Sequence, residues 1–311
     1  MSGDCEKAIK GLRNYLNKFP IGYFAVNANY YLADCLSKQN NIDSALISYM
    51  FICTSPKGMF TEKSILNAAN ISYDYKNYKQ ANELFKRLEK ESEINSHKSL
   101  AQLGIMRSDY YLKNFDSAIV YAKKVLTIEK NTSTINDEAN YIIAKSYFGL
   151  GDTVKSLEAF NLLKKSKNGE YSGEANYVFE ENAYINMKYD QAEKQILTYS
   201  SNPTSEFWLA KSIVLLGDVY VRKKKNLLAK QTFQSIIDNY EGQELVELCK
   251  TKIKALEVLE NVLKAREEKK VETNKDEIDE IIIDHNSASS NNKEIGTKEP
   301  SSKQEPKSNK E

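Results

Sequence analysis

Apolar residues recur along this chain at the three- and four-residue spacing of an amphipathic helix, and the runs break at short polar turns. The segment NDEANYIIAKSYFGLGDTVKSLEAFNLLKKSKNG shows the pattern. Tyr141, Ile142, Ala144, Tyr147 and Phe148 fit helical rather than strand spacing. Gly149 and Gly151 interrupt that helix, because glycine is poor in a helix interior. Asp152 is placed to cap the next helix by accepting a backbone N–H. That second helix carries Leu157, Phe160 and Leu163 on one face. So short a connection predicts two antiparallel neighbours.

The same pair returns along most of the chain. Each second helix begins with a polar turn and a small residue: Ala8, Ala45, Ala81, Ala118, Ser156, Ala192 and Ala229. Successive steps are 37, 36, 37, 38, 36 and 37 residues. Four positions later stand Leu12, Tyr49, Phe85, Ala122, Phe160, Ile196 and Phe233. The small residue lets the two helices approach, and the residue four on fills the space beside it. Ala122 is too small for that task, which points to Tyr121 or Val125 in its unit. One helix pair cannot bury its own faces, so such units stack into an array.

Small residue, large residue four later and apolar first-helix stripe together resemble the tetratricopeptide repeat family, whose units are about 34 residues long. Pro20, Pro56 and Pro203 stand where that family's closing proline falls, while the other units lack it. The family's first-helix Trp is replaced by Asn or Ile, and the period is longer, with the excess expected in loops between units. The segments NKFPIGYFAVNANYYLADC and SEFWLAKSIVLLGDVYV resemble, more narrowly, late repeats of long tetratricopeptide proteins of Bacteroidetes cell envelopes. The resemblance implies an all-α, right-handed superhelical solenoid of antiparallel helix pairs over residues 1–243, with about six and a half repeats.

The ends depart from the period. Gly3-Asp4 matches Gly151-Asp152, so the chain is expected to start inside a turn, with Leu12 and Leu16 facing a missing first helix. Either a longer chain precedes it or another segment covers this edge. Residues 244–266 read as one capping helix, with Leu245, Leu248, Ile253, Leu256, Leu259 and Leu263 on one side. Residues 267–311, rich in Lys, Glu, Ser and Asn, read as a disordered tail. Its DEIDEIIIDH patch is either a short linear motif or a spacer with incidental isoleucines.

Composition narrows the function. Lys+Arg total 44 against Asp+Glu 43, so there is no basic excess of the kind that nucleic-acid affinity rests on. No apolar run is long enough to span a bilayer, and no leader peptide opens the chain. That reads as cytoplasmic for the sequence as written, or periplasmic or outer-membrane-associated for a fragment of an envelope protein. Cys5, Cys35, Cys53 and Cys249 form no metal-spaced pair and read as small packing residues. His97 opens a first helix as a plain polar residue, and His285 lies in the tail. No acid–base–nucleophile set, phosphate loop or metal motif is present in the sequence, which predicts a non-enzyme without a cofactor.

What remains is a surface for another protein or peptide. The resembled family lines a concave groove with its first helices. Counting back from each small residue, the groove would draw on three rows. Fifteen before stand Tyr30, Leu66, Leu103, Tyr141, Tyr177 and Val214. Eleven before stand Asp34, Asn70, Arg107, Lys145, Glu181 and Asp218. Eight before, four units carry Tyr73, Tyr110, Phe148 and Tyr184. Tyrosine suits recognition, since it offers apolar area and one hydrogen bond at low entropic cost. The competing reading packs these tyrosines between helices. The mixed signs in the second row disfavour a single strongly charged ligand. They also disfavour the helical-repeat RNA-binding alternative, which needs a basic groove.

Overall fold

A computed structural model describes the backbone of residues 2–129 and 131–290, with side chains for 5–129 and 131–269. The chain divides into two units, Met1–Val246 and Glu247–Glu311. The first is an all-α solenoid. Its first helices are α2 (Ala25–Lys38), α4 (Thr61–Asp74), α6 (Asn95–Tyr111), α8 (Ser133–Gly149), α10 (Gly169–Ile185) and α12 (Glu206–Arg222). Alternating with them are the second helices α3 (Ile42–Thr54), α5 (Tyr78–Glu91), α7 (Phe115–Leu126), α9 (Thr153–Leu163), α11 (Tyr189–Ser200) and α13 (Asn226–Asn239). Helix α1 (Ser2–Lys18) precedes them and α14 (Gln243–Ser290) follows. Each helix packs chiefly on its neighbours in sequence, as stacking of hairpins requires.

Every hairpin turns by one device. Asn40, Lys76, Lys113, Gly151, Met187 and Lys224 adopt left-handed backbone, with φ between 58° and 79°. Each stands five residues before its unit's small residue. The following N–H then reaches back to a first-helix carbonyl, as from Asn41 to Leu36 and from Lys188 to Ala183, both at 2.9 Å. This is the six-to-one bond of a Schellman close. Only one of the six corners uses glycine, so five bear the steric cost of a Cβ in this region. In two units the next residue also caps the second helix, Asn77 to the Gln80 N–H and Asp152 to the Lys155 N–H.

The core sits where small meets large. Ala45, Ala81, Ala118, Ser156, Ala192 and Ala229 are all buried, as are the fillers Tyr49, Phe85, Ala122, Phe160, Ile196 and Phe233. Twelve positions before each small residue lies a buried first-helix partner: Ala33, Ala69, Met106, Ala144, Glu180 and Gly217. Volumes trade across the pair. A Cβ at Gly217 would lie 2.2 Å from the Phe233 ring, and one at Gly104, on the next unit's first helix, 2.4 Å from the Phe85 ring. The undersized Ala122 is matched by Met106, with both in one cluster and Val125 buried beside them. Tyr121 is only half-buried and gives its hydroxyl to Glu89 instead.

The structure differs from the sequence reading at both ends. Helix α1 runs back to Ser2, so Gly3 and Asp4 are helical rather than a turn. Ala8 is half-buried where its counterparts are enclosed, and Leu12 and Leu16 pack partly against the first core cluster. Cys5 and Cys35 are not plain packing residues. They form a disulfide between α1 and α2, with Cα atoms 5.2 Å apart. Closing a loop of that length stabilises by about 3–4 kcal/mol. Cys53 and Cys249 are buried as expected. At the other end, α14 continues beyond residue 266 to Ser290. No glycine or proline occurs between Gly242 and Gly296, so nothing local stops the helix. Of the apolar positions named for the capping helix, Leu256 is buried, Leu245 and Ile253 are half-buried, and Leu248, Leu259 and Leu263 are exposed. The backbone of the DEIDEIIIDH patch is helical, its side chains lie outside the described residues, and residues 291–311 are wholly outside them.

Two substitutions test this account. Lys113→Gly relieves a left-handed corner and is expected to stabilise by about 0.5–1 kcal/mol, read from urea melts. Ala81→Leu overfills the hairpin and is expected to cost about 1–3 kcal/mol in the same assay.

Candidate functional site

The first helices place the three predicted rows side by side on successive units, and a second function of those residues becomes visible. Arg107 of α6 binds Glu138 of α8 through two parallel bonds, Nε to Oε1 and Nη2 to Oε2, both 2.6 Å. Lys145 of α8 donates to Glu174 Oε1 of α10 at 2.6 Å, and the Tyr141 hydroxyl donates to Oε2 at 2.7 Å. Lys211 of α12 lies 4.5 Å from the centre of the Tyr177 ring, whose hydroxyl donates to Glu181 at 3.0 Å. Lys63 of α4 lies 5.6 Å from the centre of the Tyr30 ring of α2, and its pKa is raised by Tyr30 first and by Asp34 as well. At these four junctions a residue of row fifteen or row eleven, or both, meets the residue eighteen before the next small residue. The signs are opposed at four junctions: Asp34 and Lys63, Arg107 and Glu138, Lys145 and Glu174, Glu181 and Lys211. At the fifth, both places are uncharged, Asn70 and Leu100.

These contacts decide how each predicted residue is presented. Tyr30 is buried and stacks on Phe60 at 4.2 Å. Asp34 also holds Lys38 within its own helix at 2.7 Å. Tyr141 is half-buried and stacks on Tyr171 at 4.4 Å. Burial, with Glu174 adding, drives its phenol pKa upward. Tyr177 is half-buried, packs against Trp208 at 5.4 Å, and has its pKa raised by burial first. Tyr73 joins Tyr78 and Tyr111, which stack on each other at 4.5 Å, and Tyr110 meets Tyr111 edge-on. Tyr184 accepts from Arg222 Nε at 3.3 Å. Asn70 is exposed, while Glu181 and Asp218 are half-buried. The arrangement brings Arg107, Lys145, Tyr141 and Tyr177 into the joints between units. Tyr73, Tyr110, Phe148 and Tyr184 fall along one margin, at or near the ends of α4, α6, α8 and α10.

A further joint involves a residue read from sequence as merely polar. His97 Nδ1 lies 2.9 Å from Glu62 Oε2, linking α6 to α4. Glu62 also accepts from the Ser92 hydroxyl and the Glu93 N–H. The Ser92 bond is the main reason its carboxyl is held down at about 2, against the opposing cost of burial.

No protein family model and no curated protein matches the sequence. Among solved structures, the apo form of RapI superposes with a TM-score of 0.56 at 15% identity, covering 80% of this chain and 79% of its own. A tetratricopeptide repeat protein from Parabacteroides merdae aligns with a TM-score of 0.43 at 18% identity, over 80% of this chain and 92% of that one. The tetratricopeptide domain of P58(IPK) aligns with a TM-score of 0.31 at 13% identity, over 83% and 95%. The protein is an all-α helical-repeat solenoid. In fold it is of the tetratricopeptide type.

Two measurements examine the joints. A double-mutant cycle on Arg107→Ala and Glu138→Ala is expected to give a coupling of about 1 kcal/mol, since the pair is bidentate but partly solvated. Glu62 has a lowered pKa, so its contribution is present above the unfolded value of 4.5 and is lost as pH falls through about 2. Urea midpoints should drop across that window, and Glu62→Gln should flatten the drop.

Proposed function

We propose that this chain is a non-catalytic scaffold or adaptor that receives a protein or peptide partner along its first-helix margin. One observation carries the reading. Tyr111, Phe148 and Ile185 stand at or next to the ends of three successive first helices, and they are 52%, 63% and 68% exposed. Tyr73, Tyr110 and Tyr184 lie half-buried beside them. A row of large apolar side chains left in water at a regular interval suits a partner that is itself extended and partly apolar. The charge pattern supports a protein rather than RNA. Arg107 and Lys145 are neutralised inside the array and offer no basic track for a phosphate backbone. Among the described residues, no helix is long and apolar enough to cross a membrane. The Cys5–Cys35 disulfide supports an oxidising setting, as in a cell-envelope assembly outside the reducing cytosol.

The test separates surface from joint. Phe148→Ser combined with Ile185→Ser should leave the melting temperature nearly unchanged and abolish capture of partners crosslinked to the array in its native cells. Tyr177→Ala should instead lower the melting temperature, because that ring supports Lys211 and Trp208. Retention of every partner by the double variant would overturn the margin as the binding surface. Tight binding to pooled RNA that weakens steeply with salt would overturn the protein-partner reading altogether.

A further inference from the structure

Three carboxylates in the array are buried: Asp109, Glu174 and Glu180. Two have both oxygens engaged. Asp109 accepts from Asn82, Asn114 and Ser117, and Glu174 from Tyr141 and Lys145. Glu180 is different. The Ser212 hydroxyl donates to its Oε2 at 2.5 Å, while its Oε1, equally enclosed, accepts from no protein group. The residue is 1% exposed, at the place where other units carry Ala33, Ala69, Met106, Ala144 and Gly217. The array's packing does not call for a charge there.

A second unclaimed acceptor lies close by. Gln195 Oε1 on α11 is buried and also accepts from no protein group. Both residues line one cavity of about 620 Å³, walled by α10, α11 and the loops that follow α9 and α11. The cavity forms beside the end of α9, the shortest helix of the array, which packs on α10 less extensively than α3, α5, α7 and α11 pack on the helix that follows each of them. Phe179 and Tyr199 supply aromatic wall, and Lys164, Lys165 and Lys194 bring positive charge. Lys164 Nζ sits 3.9 Å from the centre of the Phe179 ring. By helical spacing, Asn176, Phe179 and Glu180 centre about 110° round α10 from Tyr177, Glu181 and Tyr184, and none of those three residues lines the cavity, so it is separate from the partner margin.

We propose that the cavity binds a small zwitterion, a free amino acid or a di- or tripeptide, with its ammonium at Glu180 Oε1 and Gln195 Oε1 and its carboxylate at the lysines. Two unclaimed acceptors call for a group with several N–H donors, which an ammonium provides. Three lysines against one carboxylate leave the site positive, which disfavours a plain cation and requires an anionic end on the ligand. The volume lies within the range of small-ligand sites. Burial pushes the Glu180 carboxyl up to about 7, opposed by Ser212 and Lys164, and burial also lowers the pKa of Lys164. Both charges lack the solvation that a ligand of opposite ends supplies.

The full chain is titrated calorimetrically and melted with the twenty free L-amino acids, alanyl-alanine and alanyl-phenylalanine. At least one zwitterion is expected to bind and raise the melting temperature. Acetylating its amine or amidating its carboxylate should each weaken binding at least tenfold. Glu180→Ala, which installs the residue found in three other units, should keep or raise the unliganded melting temperature and abolish binding. Gln195→Leu should weaken binding at least tenfold while the protein stays folded. Failure of every zwitterion to bind overturns the proposal. So does equal stabilisation by glucose, which has donors but no charge, or undiminished binding by Glu180→Ala. A fall in unliganded stability on Glu180→Ala, with binding kept by Gln195→Leu, assigns Glu180 to the fold and overturns it as well.

Discussion

Two helices of one hairpin can lie close only where a small side chain leaves room, and the rest of the array depends on that approach. Ala45, Ala81 and their counterparts admit it, and the residue four later occupies the space it leaves. Because the pair is close-packed, the first helix must adjust in volume at its own facing place. Hence Gly217 stands opposite Phe233, and Met106 answers Ala122. Burying one such side chain is worth about 1.5–3 kcal/mol, more than a partly solvated ion pair contributes. The core therefore supplies most of the cohesion, and the ion pairs add to it at the joints where they form.

That division explains what could be read from sequence. The period, the helix pairs and the core rows all follow from local spacing, and local spacing is what a sequence displays. The six left-handed corners were less visible, because five of them carry Asn, Lys or Met in place of glycine. The ladder of opposed charges was also present in the sequence, at places about thirty residues apart, but it appears only when two units are aligned and the partner row is known. Without it, Arg107 and Lys145 look like groove residues, whereas the fold closes them on Glu138 and Glu174. The disulfide needed the packing of α1 on α2, which no motif announces. Glu180 did leave a signal, a charge in a row otherwise filled by Ala, Met and Gly, but the row itself was defined only by the structure.

The polar groups of the first helices divide into two populations. Those in rows fifteen and eleven mostly serve the joints, while Phe148 of row eight, with Ile185 beside that row, is left in water at the margin. Such exposed positions can change without loosening a joint, whereas Tyr73 and Tyr184 also touch the following unit. Conversely, a charge reversal in a joint disturbs the stacking of two units even though both side chains lie near the surface.

The bond between Cys5 and Cys35 has a mechanical consequence. Tension applied along the chain passes through the sulfur bridge and bypasses the segment between the two cysteines. With a sequence separation of 30, that segment stays slack while the bridge holds. Once load has unfolded α1 and α2, reduction releases about 100 Å of further contour length at full extension. The thiol chemistry of the surroundings then sets how far this end of the chain can be drawn out.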